Sequence, residues 1–254
     1  MLPGVEDAIL NRRALGWVMN RLWRGVASRY RVTVLTAREA VLAGSTTEQM
    51  AQDAAEALVA LGRQPRITAG MGAGGLAALW MAARAPDLTG ALVVLSTPLS
   101  ARVPEPFVRF LDHLAHLLRD GQWPQAFEHA CGVYLESDLR RRLSLVLRLL
   151  KRWGQPDDLQ RAARILSAFR SHDGRPVLAR VTVPVLAFGG GLDPMLPMTV
   201  PGSTPALNGT AVRPSRQVWL AGEHGAFLTF WQTVVAELNR FSAEYTATPE
   251  AVRP

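Results

Sequence analysis

Short apolar runs alternate with longer runs of helical periodicity along most of the chain. Five runs have the length and composition of strands, and they are 31–36, 66–71, 90–96, 183–188 and 215–220. Between the first two, Thr46 and Gln49 form a capping-box pattern, which predicts a helix that ends before Gly62. Residues 226–241 predict a closing helix. Alternating strands and helices predict an α/β fold, with a mostly parallel sheet flanked by helices.

The pattern changes between residues 99 and 180, where only helical periodicity is found. Breaks at Gly121, Pro124 and Gly154 divide this stretch into several helices. We predict an inserted all-helical cap at 99–180 and a core formed by 1–98 and 181–254.

The composition fits one globular domain of 254 residues, of which 48% are hydrophobic. No apolar run is long enough for stable membrane insertion, and the first residues lack the pattern of a secretory signal, so a cytoplasmic protein is expected. A single cysteine, Cys131, excludes an internal disulfide. We expect no metal and no cofactor.

The net charge of +7 comes almost entirely from arginine, because Lys151 is the only lysine. The densest cluster lies in 140–152, where leucines recur at helical spacing between the basic residues. Such a face attracts anionic ligands or a membrane surface, although a solvated helix face is the more common outcome. No nucleic-acid motif accompanies the charge, so no nucleic-acid partner is expected.

The most informative motif is the glycine turn, Gly70-Met71-Gly72-Ala73-Gly74-Gly75 (residues 70–75). It follows a strand-like run and precedes an alanine-rich helical run. This order resembles the nucleophile elbow of the α/β-hydrolases, Gly-x-Ser-x-Gly, with Gly72 at the position of the serine. Further along, Gly190-Gly191-Leu192-Asp193-Pro194 resembles the turn that carries the acid of that family, and Gly222-Glu223-His224 resembles its histidine turn.

From about residue 17 to 241 the chain is therefore similar to α/β-hydrolase-fold proteins of the helical-cap type. The resemblance implies catalytic positions at Gly72, where the nucleophile is lost, and at Asp193 and His224. It also implies an oxyanion-type donor in the backbone N–H of Ala73. Three residues are weaker candidates for binding a substrate between cap and core, namely Met71, Trp123 and Trp153.

The first residues of the chain differ from the pattern of this family. The other oxyanion donor of the family lies in a loop that matches Leu2-Pro3-Gly4, where Pro3 has no N–H. The first two strands of the family, and most of its third, would lie before Met1. Three explanations stay open: the neighbouring strands close up, the true start lies upstream, or the chain comes from an assembled gene fragment.

Three functions fit these observations. The first is a non-hydrolytic member that binds a small apolar or anionic ligand or serves as a scaffold. We favour it slightly over the second, because the oxyanion loop is missing as well as the nucleophile. The second is a lyase or cyclase in which Asp193 and His224 act as a general base. The third is a serine-type ester or C–C hydrolase whose serine is replaced by Gly72, or supplied by Ser96 or Ser45. Serine hydrolysis is not expected from the sequence as it stands.

Overall fold

The computed structural model describes residues 1–37, 44–98, 105–197 and 215–247. The first six residues of the predicted cap, 99–104, lie outside these ranges. The strands are β1 (Ile67–Met71), β2 (Ala91–Leu95), β3 (Val185–Gly190) and β4 (Arg216–Leu220). The longer helices are α2 (Arg12–Ala27), α3 (Thr47–Ala60), α4 (Gly74–Arg84), α5 (Glu105–Arg119), α6 (Trp123–Tyr134), α8 (Ser144–Trp153), α9 (Leu159–Arg170) and α12 (Trp231–Ala247). The shorter helices are α1 (Glu6–Ile9), α7 (Ser137–Arg142), α10 (Arg175–Leu178) and α11 (Ala226–Thr229).

The four strands form one parallel sheet in the order β1-β2-β3-β4. Thr68 pairs with Leu92, Val93 with Leu186 and Phe188 with Val218. The residues of β2 and β3 are buried throughout, because helices cover both faces of the sheet. The predicted mostly parallel sheet flanked by helices is confirmed.

The predicted strand at 31–36 differs from the expectation. It is extended but does not pair with β1, because the first two residues of the chain lie between them. Leu2 pairs with β1 at Gly70, and Met1 donates from its amino group to Thr33 O at 2.9 Å and accepts from Leu35 N at 3.0 Å. The neighbouring strands therefore do not close up.

Helix α3 begins and ends where the sequence predicts, because capping hydrogen bonds and a glycine turn set its two ends. Thr46 and Gln49 exchange side-chain to backbone hydrogen bonds of 3.2 and 3.0 Å, and the chain turns at Gly62 with φ of +59°. Two other predictions need correction. The closing helix is interrupted at Phe230 between α11 and α12, and the basic stretch 140–152 is interrupted at Leu143 between α7 and α8.

Helices α5 to α10 follow β2 in the chain and precede β3. Helices α5 and α9 pack together, and Phe107 and Leu114 of α5 and Phe169 of α9 are fully buried. Their core is continuous with the residues beneath α1 and α2. The division into a cap and a core stays a prediction. Within the described residues, no helix is both long and apolar enough to cross a membrane.

Candidate active site

The glycine turn connects β1 to α4 and gives Gly72 a φ of +48°. The Gly72 N–H donates to Leu95 O at 2.8 Å, which ties the turn to β2. Glycines are required around it because neighbouring groups approach closely. A Cβ atom on Gly74 would collide with Pro3 O, and one on Gly75 would collide with the side chain of Thr97. The turn is therefore tightly packed and held in a left-handed conformation.

Asp193 and His224 form a buried pair at the carboxyl ends of β3 and β4. His224 Nδ1 lies 2.8 Å from Asp193 Oδ2, and both side chains are 1% exposed. The other carboxylate oxygen accepts from the N–H groups of Met195 and Leu196 at 2.8 and 3.0 Å. Because a carboxylate only accepts, Nδ1 carries the proton and Nε2 is left as a potential base.

Tyr134, at the end of α6, lies where a side chain on residue 72 would extend. A Cβ atom built on Gly72 would lie 2.7 Å from the Tyr134 hydroxyl. The Tyr134 and His224 rings stand edge to face with centroids 4.9 Å apart. In the described ranges, neither the Tyr134 hydroxyl nor His224 Nε2 has a hydrogen-bond partner, although both atoms are buried. The glycine turn, the acid–histidine pair and a tyrosine thus share one enclosed site.

Burial raises the pKa of Tyr134 well above its usual value, and the charges of Glu6 and Asp193 raise it further. The hydroxyl is therefore protonated at neutral pH and can donate a hydrogen bond. The sequence gives no signal for this residue, because Tyr134 lies 62 positions from Gly72 in a helical segment without a motif.

The loop at Leu2-Pro3-Gly4 lies against the glycine turn, as the resemblance implies. A Cβ atom on Gly4 would lie 3.2 Å from Ala73 N and would collide with Met71 O. Pro3 has no N–H that could serve as a donor, but Val5, the residue after Gly4, has one. Within the described part of the chain, the N–H groups of Val5 and Ala73 both lack an acceptor. In the described part of the chain, this loop and the turn therefore contain two backbone donors without an acceptor.

Glu6 is a second residue that sequence reasoning missed. Its carboxylate accepts from the Gly4 N–H at 2.8 Å and lies in the electrostatic neighbourhood of His224. Burial raises the pKa of Glu6, while hydrogen bonds from the backbone N–H groups of Glu6 and Gly4 act in the opposite direction. The site thus holds a carboxyl group that none of the motifs predicts.

Residues next to Tyr134 hold the turn that carries His224. Glu136 accepts from the Glu223 N–H at 3.3 Å and from the Thr229 hydroxyl at 3.1 Å. A Cβ atom on Gly225 would collide with the carbonyl oxygen of Tyr134. The end of α6 is therefore clamped onto the histidine turn, and this clamp keeps the Tyr134 side chain over Gly72.

The other predicted residues lie in different settings. Met71 ends β1 and is 1% exposed. Trp123 is buried and donates from its indole N–H to Ile9 O at 2.7 Å, while Trp153 is 43% exposed. These contacts do not bring either tryptophan to the glycine turn. Ser96 donates its hydroxyl to His224 O at 2.7 Å, which supports the histidine turn rather than freeing a nucleophile.

No protein-family model matches the sequence, and no curated protein matches it. Solved structures do match the fold. An enol-lactonase from Burkholderia xenovorans has a TM-score of 0.77 and 18% identity, over 96% of this chain and 90% of that chain. A hydrolase from Pseudomonas aeruginosa has a TM-score of 0.73 and 21% identity, over 95% and 88%.

A thermophilic esterase from Thermogutta terrifontis, with malate bound, gives a TM-score of 0.73 and 18% identity over 96% of this chain and 88% of that chain. At these identities the likeness concerns the fold. Together with the parallel sheet and the order of the glycine turn, Asp193 and His224, it shows that this chain has the α/β-hydrolase fold.

Proposed function

We propose that this protein is a non-hydrolytic α/β-hydrolase-fold member that binds a small molecule through a carbonyl or carboxylate oxygen. The observation that carries the proposal is the Tyr134 hydroxyl beside Gly72. It occupies the volume into which a nucleophilic side chain would extend. The site has therefore lost the attacking atom, and a different polar group stands in its place.

The polarity of the site favours an oxygen-bearing ligand. The backbone N–H groups of Val5 and Ala73 and the hydroxyl of Tyr134 are donors without acceptors among the described residues. Leaving a buried donor unpaired costs about 1–3 kcal/mol, so these three donors favour a ligand or a bound water as their partner. A carbonyl or carboxylate oxygen can accept hydrogen bonds from more than one donor.

The names of similar structures support the same ligand chemistry. The Thermogutta terrifontis esterase is described with malate bound, and a further similar structure is an E-2-(acetamidomethylene)succinate hydrolase. Both names contain a small dicarboxylate. Malate is therefore the first probe for this chain. In this proposal the Asp193–His224 pair forms part of the wall of the site and does not act as a base, because the serine that it would activate is absent.

The decisive experiment compares ester hydrolysis by the parent, Gly72→Ser and the double variant Gly72→Ser with Tyr134→Ala, using p-nitrophenyl acetate. We expect background rates for the parent and for Gly72→Ser, because the Tyr134 hydroxyl blocks the new side chain. The double variant has room for the serine beside His224, and we expect a gain of about a hundredfold or more from a restored nucleophile and base.

Turnover of the ester by the parent at a rate that His224→Ala abolishes would show that the protein is a hydrolase and would overturn the proposal. Binding is tested separately by isothermal titration of malate. We expect binding to the parent and at least about a tenfold loss in Tyr134→Phe, since one hydroxyl donor is removed without loss of packing.

The intact acid–histidine pair favours a second candidate, a general-base enzyme. His224 Nε2 is buried without a partner in the described ranges, and Asp193 fixes the ring in the tautomer that leaves this atom basic. Such an enzyme abstracts a proton from a C–H or O–H group without a covalent intermediate. Deuterium exchange into acetylacetone, followed by NMR, measures this ability. If His224→Ala exchanges as fast as the parent, this candidate is excluded.

A further inference from the structure

Helix α8 has an apolar face that the protein core does not cover. Helices α7 and α8 together contain only one buried residue, Leu150. Three apolar side chains of α8 are exposed, namely Leu145 at 61%, Leu149 at 48% and Trp153 at 43%. They follow one another at intervals of four residues, so they lie along one side of the helix. We call these three residues the α8 stripe.

A different side of α8 holds the helix to the protein. Val146, Leu147 and Leu150 pack in or against the larger hydrophobic cluster. After the end of the helix, Gly154 O accepts from the Asn11 N–H at 2.7 Å, which ties this end to the start of α2. The α8 stripe belongs to neither hydrophobic cluster of the described residues. The helix is therefore firmly attached and still presents apolar side chains to solvent.

The residues around the α8 stripe are strongly basic. Residues 139–153 include six basic side chains and no acidic one. Two of the six, Arg141 and Lys151, form ion pairs with exposed carboxylates. Arg148 and Arg152 are exposed and have no ion pair within the described ranges. Because they lie one turn apart on the helix, they border the stripe along one flank.

This combination of positive charge and apolar surface restricts the partner. A second copy of the chain would bring two basic faces together, and like charges repel. A nucleic acid would pair with the arginines, but its phosphate backbone offers no apolar surface to leucine. The surface of an anionic bilayer carries negative phosphates above a hydrocarbon layer, so it suits both kinds of side chain.

The positions of the side chains match the order of groups in such a surface. A helix that lies in the interface buries its apolar face about 5–10 Å deep, at the boundary between headgroups and acyl chains. Leu145 and Leu149 suit this depth, and Trp153 suits the level of the headgroups, where indole rings are enriched. The long side chains of Arg148 and Arg152 reach lipid phosphates beside the stripe.

We propose that the α8 stripe, together with Arg148 and Arg152, binds the surface of an anionic phospholipid bilayer. The stripe enters the interface, the arginines pair with lipid phosphates, and the rest of the protein stays in water. The attachment is peripheral and reversible, because three apolar side chains bury much less surface than a membrane-spanning helix. It does not depend on the function proposed for the glycine-turn site.

The test measures co-sedimentation of the protein with two kinds of vesicle. One kind is pure phosphatidylcholine, and the other contains about 30% phosphatidylglycerol, which makes it anionic. We expect the anionic vesicles to bind at least about tenfold more tightly, and this binding to weaken as salt is added. Equal affinity for the two kinds of vesicle would overturn the proposal, as would no binding to anionic vesicles at millimolar lipid.

Two double variants separate the apolar and the charged parts of the surface. Leu145→Ser with Leu149→Ser removes apolar contact without changing the charge, and binding should weaken at least about tenfold. Arg148→Glu with Arg152→Glu should weaken binding by at least as much, because two attractive charges become repulsive. If the serine variant binds as tightly as the parent, the stripe does not enter the interface and the proposal is wrong.

Each double variant has a matched control on another surface. Val59→Ser with Leu61→Ser removes two exposed apolar side chains at the end of α3. Arg24→Glu with Arg63→Glu makes the same change in net charge as the arginine variant of α8. Both controls should keep most of the binding of the parent. Equal losses in the controls and in the α8 variants would show only a diffuse attraction of a basic protein, and would overturn the proposal.

Trp153 reports whether the stripe enters the bilayer. The chain has seven tryptophans, so the informative signal is the difference between the parent and Trp153→Phe. We expect a blue shift of the parent emission on anionic vesicles that Trp153→Phe lacks. An identical shift in both proteins would overturn the proposal. So would binding to a double-stranded DNA oligonucleotide without binding to vesicles, or a dimer in solution that the serine variant dissociates.

Discussion

The two ends of strand β1 differ in how closely the protein packs around them. At the carboxyl end, the Tyr134 hydroxyl fills the space beside Gly72, and the site is closed. At the amino end, the strand borders an open cavity of about 750 Å³.

The difference follows from the size of the space at each end. One side chain from another helix fills the volume of a few atoms, and the Tyr134 hydroxyl does so beside Gly72. A cavity of about 750 Å³ is too large for one side chain to fill, so the space beside the amino end of β1 stays open.

The largest expected effect tests whether the acid–histidine pair supports the closed end. Asp193→Ala leaves His224 and the N–H groups of Met195 and Leu196 without their acceptor, so the free energy of unfolding should fall by about 3–5 kcal/mol. Urea denaturation measures this. Asp193→Asn is the control, because it keeps an acceptor oxygen and should lose less. A loss below about 1 kcal/mol for the alanine variant would mean that the pair adds little to stability.

The next largest expected effect concerns the Met1 amino group, beside the amino end of β1. Burial lowers the pKa of the Met1 amino group to about 5, from 8.0. Between these values the unfolded chain binds more protons than the folded chain, so stability should rise as the pH increases from 5 to 8. The full contribution is about 4 kcal/mol, since each pKa unit is worth about 1.4 kcal/mol.

Acetylation of the Met1 amino group is the control for that pH dependence. It keeps the N–H that bonds to Thr33 O but removes the charge, so this part of the pH dependence should vanish. Stability curves from urea unfolding at pH 5 and pH 8 check the difference between the two forms. If the free energy of unfolding changes with pH equally in the acetylated and unacetylated protein, the Met1 amino group is not responsible for the change.

A smaller effect tests how firmly Tyr134 fills the space beside Gly72. Gly72→Ala adds a Cβ atom 2.7 Å from the Tyr134 hydroxyl at a φ of +48°, and it should destabilise the protein by about 1–3 kcal/mol. Part of this loss should disappear in a Tyr134→Phe background, because only the hydroxyl is in close contact. If the double-mutant cycle gives no coupling by thermal unfolding, the two groups are farther apart than described.

The smallest effect separates stability from function at the closed end. Tyr134→Phe removes a buried hydroxyl that has no partner among the described residues, so stability should be unchanged or rise by about 1 kcal/mol. Calorimetry measures the change, and malate titration of the same variant measures binding. A clear loss of stability would reveal a hydrogen bond from Tyr134 that supports the fold.

Local signals in the sequence predicted much of this. The apolar runs predicted β1 to β4, and the capping residues Thr46 and Gln49 predicted the start of α3. Motifs with a fixed order also predicted that Asp193 and His224 belong together, because the carboxyl ends of parallel strands meet at one edge of a sheet. Each of these signals lies within a few residues of the feature it specifies.

Tyr134, Glu6 and the free N–H of Val5 could not be predicted in the same way. They come from α6 and from the first residues of the chain, and no spacing connects them to Gly72. The interruptions at Leu143 and Phe230 were missed for a similar reason, because helical periodicity continues through both positions. Packing between distant segments decides such details.

The sequence by itself determined the α/β architecture, the order of the glycine turn, Asp193 and His224, and the absence of a side chain at position 72. These properties depend on residue type and short-range pattern. Only the tertiary structure decided that Tyr134 stands over Gly72 and that a cavity of about 750 Å³ lies beside β1. Both depend on how segments that are distant in sequence pack against each other, and the packing of the whole core sets their positions.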